Sequence, residues 1–221
     1  MKRRKFGLSL LTVSSVLVSG CNFGNEEDSS TAEGQPTAER RELSSEAPER
    51  TNTEATDDAP TFDAEADTDS IVLRLSDLPS TFEYSGERDI VTAELDGAEQ
   101  EQYAANDIVR QHSRSFRQAS DADGPMLVYS EATVYESVDH ADAQLTDTES
   151  TFREQSASID TVELAADVSA TQIRHENDRG SQNVLLYYQR GNMQLLVIVS
   201  GGEEFYAELA EELMIAMVSD V

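Results

Sequence analysis

Three basic side chains at alternate positions, Arg110, His112 and Arg114 in "IVRQHSRSF", are the residues of this chain best placed to do chemistry. An extended strand sends positions i, i+2 and i+4 to one face, so the three form a short cationic stripe. Guanidinium and imidazolium groups in such an array suit a carboxylate, a phosphate or a sulfated glycan. The competing arrangement, and the expected one, is that they pair with acids on neighbouring strands, Glu131 for example, and only offset repulsion. The stripe is the one ligand-binding candidate that the spacing offers.

Elsewhere the signatures of catalysis are missing. There is no H-E-x-x-H, no G-x-S-x-G, no P-loop and no dinucleotide glycine fingerprint. "VSGGEE" lacks the spaced glycines that cradle phosphate, and reads as a strand-to-helix turn. The three histidines, His112, His140 and His175, fall on different elements with no helical i, i+4 pair, so no zinc-ligand spacing arises. "DADG" at Asp121–Gly124 lacks the alternating oxygens and closing Glu of a calcium loop and reads as a turn. No catalytic residue, metal or cofactor is assigned. A non-catalytic binding domain is expected; the alternative is a tethered hydrolase using paired carboxylates, although no pair is singled out by spacing.

The chain opens with Lys2, Arg3, Arg4 and Lys5, followed by an apolar run from about Leu8 to Val18. That is the layout of a secretory signal over residues 1–20, too short for a comfortable membrane span. Val18-Ser19-Gly20-Cys21 resembles the lipobox of exported lipoproteins, and Arg3-Arg4-Lys5-Phe6 resembles the twin-arginine export motif. The resemblance implies that Cys21, the single cysteine, is lipidated and becomes the first mature residue. The domain would then sit outside the cytoplasm, anchored to the outer face of the cell membrane. A plain signal with a chance cysteine, or an uncleaved anchor helix, is the alternative. Either way no second thiol exists for a disulfide.

The formal charge is −28, from 16 bases and 44 acids. Both lysines and two arginines lie in the leader; beyond residue 20 there are 12 bases against 44 acids, a net charge of −32. At ordinary ionic strength the Debye length is about 8–10 Å and so much like charge repels itself; near 1 M salt it is about 3 Å. A lysine-free, acid-rich chain with these export motifs resembles proteins of extremely halophilic archaea. An acidic lipoprotein from ordinary salt is the plainer alternative. The sign of the charge disfavours nucleic acid and anionic membrane surfaces as partners.

From Asn22 to Asp69 there are 15 acids, 3 arginines and 11 Ser or Thr, with few large apolar residues. Such a segment buries too little surface to offset chain entropy, so residues 21–69 are expected to form a disordered tether behind the lipidated cysteine. Its hydroxyls could carry O-linked sugars.

Residues 70–221 suit one globular domain. "NVLLYYQRGNMQLLVIVSGG" reads as a hairpin, strands Asn183–Gln189 and Met193–Ser200 turning at Gly191-Asn192, and the second strand is apolar on both faces and hence central. "EEFYAELAEELMIAMV" places Phe205, Leu209, Leu213 and Met217 four apart, an amphipathic helix. "DHADAQLTDTESTFREQ" reads as a helix capped by Ser137, with Ala141, Leu145 and Phe152 inward. "MLVYSEATVYE", "IVRQHSRSF", "TVELA" and "ATQIRHEN" read as strands, with a short helix in Ala98–Asp107 and at least one strand before it. The fold class is α+β: an antiparallel sheet of about 5–7 strands with helices packed on one side and a C-terminal amphipathic helix.

The strand and alanine-bearing helix of "VYSEATVYESVDHADAQLTDTESTF", followed by "QRGNMQLLVIVSGG" and a terminal helix, resemble extracytoplasmic sensor-type lipoprotein domains. Examples are the ectodomains of mycobacterial Ser/Thr kinases and the PsbP-like fold. The resemblance implies a surface domain that binds a small ligand, a glycan or another envelope protein, and it transfers no functional residue.

Overall fold

The structure is a computed structural model that describes residues 59–119 and 124–221. The lipobox, Cys21, the leader and most of the expected tether lie outside the described residues, as do Ser120 to Ala122 and Asp123 of the "DADG" turn.

In chain order the elements are α1 (Thr68–Ile71), β1 (Phe82–Val91), α2 (Gly97–Ala104), β2 (Ile108–Gln118), β3 (Leu127–Tyr135) and α3 (Val138–Glu154). There follow β4 (Ser158–Ala165), β5 (Val168–Glu176), β6 (Gln182–Arg190), β7 (Met193–Ser200) and α4 (Ala207–Val218). The seven strands form one sheet in the order β1-β2-β3-β7-β6-β5-β4, and every neighbouring pair is antiparallel. The fold is α+β, as the periodicity indicated.

β7 lies at the centre and every one of its residues is buried, which accounts for its continuous apolar run. The β6–β7 hairpin closes through Gly191-Asn192, with Arg190 paired to Met193. Gly191 takes φ +59, and a Cβ there would fall 1.7 Å from the Pro60 carbonyl oxygen, so only glycine fits.

The two faces of the sheet differ in chemistry. One carries Phe116, Val128, Ala132, Val134, Met193, Leu195, Val197, Val199, Val184 and Leu186. Ala210, Leu213, Met214 and Met217 of α4 and Ile71, Val72 and Leu73 after α1 pack into the same apolar core. Burial of this face is the main source of stability. The other face carries Gln111, Ser113, Glu131, Thr133, Tyr129, Tyr135, Gln194, Tyr187 and Asn183, more polar than the first although Leu185, Leu196 and Ile198 are buried among them.

α2 and α3 contact this second, polar face: Tyr103 of α2 donates to Gln111 at 3.2 Å, and Gln194 of β7 donates to the Ala141 carbonyl of α3 at 2.5 Å. The helices therefore cover both faces, where a single layer was expected. The reason is visible in α3, whose inward residues Ala141 and Phe152 meet the opposite pleat from α4. Ser137 caps α3, accepting from the His140 amide at 3.2 Å.

Two boundaries differ from expectation. The folded part begins before Ser70, because the Phe62 amide donates to Asn192 Oδ1 at 2.7 Å and Thr68 is fully buried. Residues 62–69 thus belong with the domain, although their composition is that of a tether. The last helix starts at Ala207 and not at Glu203, and Phe205, expected inward, is 42% exposed. Tyr206 takes the inward place: a Cβ on Gly201 would fall 2.3 Å from its ring, so Gly201 makes room for the aromatic. Among the described residues no helix is long and apolar enough to cross a membrane.

Candidate functional site

Arg110, His112 and Arg114 do share one face of β2, opposite Val134, Ala132 and Ser130 of β3. Antiparallel pairing sets Asp89 of β1 beside His112 and Glu87 beside Arg114. Arg110 donates to Asp89 at 3.2 Å, to Thr68 Oγ1 at 2.8 Å and to the Ala64 carbonyl at 2.9 Å. His112 is only 3% exposed, and its Nε2 lies 2.8 Å from Glu87 Oε1. Arg114 donates through Nε to Glu87 at 2.9 Å, through Nη1 to the Asp69 carbonyl at 3.3 Å, and through Nη2 to the Asp69 carboxylate. The hydrogen bond from His112, and then those from Arg114, hold the Glu87 carboxyl below its usual range.

The stripe therefore fastens residues 64–73 and the edge strand β1 to the sheet. The partners are Glu87, Asp89 and Asp69; Glu131 is not among them. Because Ser130 stands directly opposite Arg114, the pleat turns Glu131 to the other face.

Glu131 is the centre of the second arrangement. It lies on β3 in a row across four strands, Ser113, Glu131, Leu196 and Tyr187, on the face that α2 and α3 cover. The Tyr129 hydroxyl donates to one carboxylate oxygen, and Thr133 Oγ1 donates to the other at 2.9 Å. Gln111 Nε2 donates to Thr133 at 3.3 Å, and the Tyr103 hydroxyl to Gln111 at 3.2 Å, so a relay joins α2 to Glu131. Burial raises the Glu131 carboxyl above its ordinary value, against the opposing hydrogen bonds of Tyr129, Thr133 and Gln111. Burial, and then the charge of Glu131, raise Tyr129 as well. Tyr135 and Tyr187 are raised by burial and by the same charge.

Glu131 and Tyr129 keep part of their surface exposed, whereas Gln111, Ser113, Thr133, Tyr135 and Tyr187 around them are buried. The arrangement is a part-open carboxylate on a tyrosine-rich floor. Its charge and hydrogen-bonding groups are of the kind that suit an ion or polar molecule; no serine, cysteine or histidine nucleophile pair is joined to it by a hydrogen bond among the described residues.

The sequence contained a signal for this site. On "LVYSEATVY" one register reads Val128, Ser130, Ala132, Val134 and the other Tyr129, Glu131, Thr133, Tyr135. After Leu127 the second register is aromatic and polar, unlike an ordinary solvent face.

Two further sets bring potential ligand atoms within 4.8 Å of one another: Asp69, Glu87 and His112, and Asp107, Glu136 and His140. In the first, Arg114 already supplies the positive charge. In the second, His140 Nε2 lies 3.6 Å from Asp107. A shallow concavity of about 610 Å³ opens at the β4–β5 turn, lined by Glu163, Ala165, Ala166, Asp167, Val168 and Ser169, far in sequence from either charged arrangement.

No protein-family model matches this chain, and no curated protein sequence does. Among solved structures it is similar to the crystal structure of the extracellular domain of PknH from Mycobacterium tuberculosis, at 10% identity and a TM-score of 0.47. The match covers 69% of this chain and 95% of that one.

Proposed function

We propose that this chain is a membrane-anchored surface lipoprotein whose domain binds a small ligand without catalysis and is adapted to high salt. The binding surface in this reading is the polar face between α2 and α3, centred on Glu131. The observation that carries it is the company Glu131 keeps: a part-exposed residue whose carboxylate accepts from Tyr129 and Thr133, with no second carboxylate or base engaged with it among the described residues. A hydrolase of the two-carboxylate kind needs a partner acid within several ångströms of the first. Binding needs only the shaped, pre-ordered floor that the sheet provides.

Anchoring rests on the leader and on the lipobox ending at Cys21, with residues 22 to about 61 as the spacer that holds the domain off the membrane. The test is fractionation of cells expressing the wild-type chain and Cys21→Ser. The wild type should follow the membrane and the variant should leave it. A variant that is cleaved yet stays membrane-bound overturns the lipid anchor.

A further inference from the structure

The Glu131 surface also indicates what kind of ligand it takes, given the reading that this face is a binding site. We propose that it binds an organic cation, an ammonium group carrying apolar substituents, with Glu131 as the counter-ion and the part-exposed Tyr129 beside it as the aromatic contact.

Charge is the first argument. Among the described residues, the groups that hydrogen-bond Glu131 are the neutral side chains of Tyr129, Thr133 and Gln111, and no arginine or histidine forms an ion pair with it; Arg88, two strands away in the same cross-strand row, is paired with Glu99. On the opposite face Glu87, Asp89 and Asp69 are each matched by Arg114, Arg110 or His112. A chain with so few bases spends three of them there and none on the acid that is hardest to keep charged. A recessed carboxylate without a cation is a site for one to arrive.

Aromatic chemistry is the second. Tyr129 donates to Glu131 and keeps part of its surface exposed; behind it Tyr103 joins the same network through Gln111 and Thr133, and Tyr187 stands in the same cross-strand row, both of them buried. One ring of this set already takes a cation: the Arg88 guanidinium carbon stands 5.6 Å from the Tyr103 ring centroid. Aromatic faces attract ammonium groups, and more strongly where water is excluded.

A bare metal ion fits the arrangement less well. Both Glu131 oxygens are occupied by hydroxyl donors, and neither of the two sets of clustered metal-ligand atoms includes it. In molar salt an exposed ion pair is screened. A ligand whose apolar surface is buried against tyrosine while its charge meets a sheltered carboxylate keeps its affinity there.

The experiment compares two probes on the full chain in molar KCl: choline, and its uncharged isostere in which carbon replaces the nitrogen. The chain has 7 tyrosines and no tryptophan, so near-ultraviolet circular dichroism reports on the tyrosines directly, and Tyr129→Phe assigns the signal. Choline should give a saturable change that the isostere gives only at about tenfold higher concentration or more, the ratio a sheltered cation–π and ion-pair contact provides. Glu131→Gln should weaken choline by a similar factor and leave the isostere unchanged. The wild-type comparison of the two probes stands without any variant. Equal binding of the probes, or choline binding unaffected by Glu131→Gln, overturns the cation inference while the binding-face reading survives. If choline is silent and a glycan or anion from a ligand screen moves the Tyr129 signal, the inference likewise falls alone. If nothing in that screen moves it, both fall.

Discussion

Asn192, the second residue of a two-residue hairpin turn, holds Phe62, a residue 130 positions earlier in the chain, by a two-way hydrogen bond. The Phe62 amide donates to Asn192 Oδ1 at 2.7 Å, and Asn192 Nδ2 donates back to the Phe62 carbonyl at 2.9 Å. The same nitrogen donates to the Tyr135 carbonyl at 2.6 Å, and Asn192 is 1% exposed. One side chain thus ties the β6–β7 turn, the end of β3 and the entry of the chain into the domain. Asn192→Ala leaves those backbone groups unpaired, which should cost on the order of 2–3 kcal/mol. Denaturant unfolding measures the loss, and limited proteolysis should show new cleavage between residues 60 and 70. Unchanged stability and unchanged cleavage would mean that the segment is held by its apolar contacts alone.

The pairing of Glu87 with His112 and Arg114 makes a pH prediction. Its carboxyl is held below the ordinary value in the fold, so the fold gains from Glu87 at pH above the unfolded value. That contribution is lost as pH falls through the lowered folded value. The wild type should therefore melt at a higher temperature than Glu87→Gln near pH 7, and the two curves should converge as the solution is made strongly acid. A gap that persists at the acid end would mean that the variant removed packing, not charge.

Much of the architecture was legible because it follows from period and turn chemistry. The β6–β7 hairpin, the buried centre of the sheet, the Ser137 cap and the alternation of Arg110, His112 and Arg114 are local facts, and local rules recover them. Pairing partners are not local. Which acids meet the stripe depends on β1 lying beside β2, and on the pleat that sends Ser130, not Glu131, to that face. Residues 62–69 misled by composition: their backbone is fixed by the side chains of Arg110, Arg114 and Asn192, each over 40 residues away, contacts no window of sequence contains. The Glu131 surface was partly visible in the second register of β3. Its closure by Tyr103 and Tyr187 was not, because those come from α2 and β6.

Glu131 itself carries the opposite sign from Glu87. Burial raises its carboxyl above the ordinary 4.5, so keeping it ionised costs the fold stability as pH rises through and beyond that value. Glu131→Gln removes the charge while an amide can still meet Tyr129 and Thr133. Its melting temperature should exceed that of the wild type near pH 7 and match it near pH 3. A binding site that works against the stability of its own domain has this signature. A variant less stable than the wild type at neutral pH would instead mark Glu131 as a structural acid.

A test of the proposed salt adaptation follows from how few cations the domain has to distribute. Nine arginines follow Ser70 in the sequence. Five of them, Arg88, Arg110, Arg114, Arg153 and Arg174, are committed to Glu99, Asp89, Asp69 with Glu87, Glu149 and Asp160. With 44 acids in the chain, most carboxylates can have no cationic side chain as a partner, and their repulsion is relieved only by dissolved ions. Dialysis from molar KCl to about 0.1 M lengthens the screening distance from about 3 Å to about 10 Å, enough to couple charges across neighbouring strands. The cooperative unfolding seen by circular dichroism should then be lost, and NaCl at equal ionic strength should restore it as well as KCl does. The apolar face beneath α4 does not depend on screening, so a collapsed helix-containing remnant is the expected product at low salt. A cooperative transition retained at about 0.1 M would show that the sheet's own ion pairs suffice, and the adaptation to high salt would fail with it.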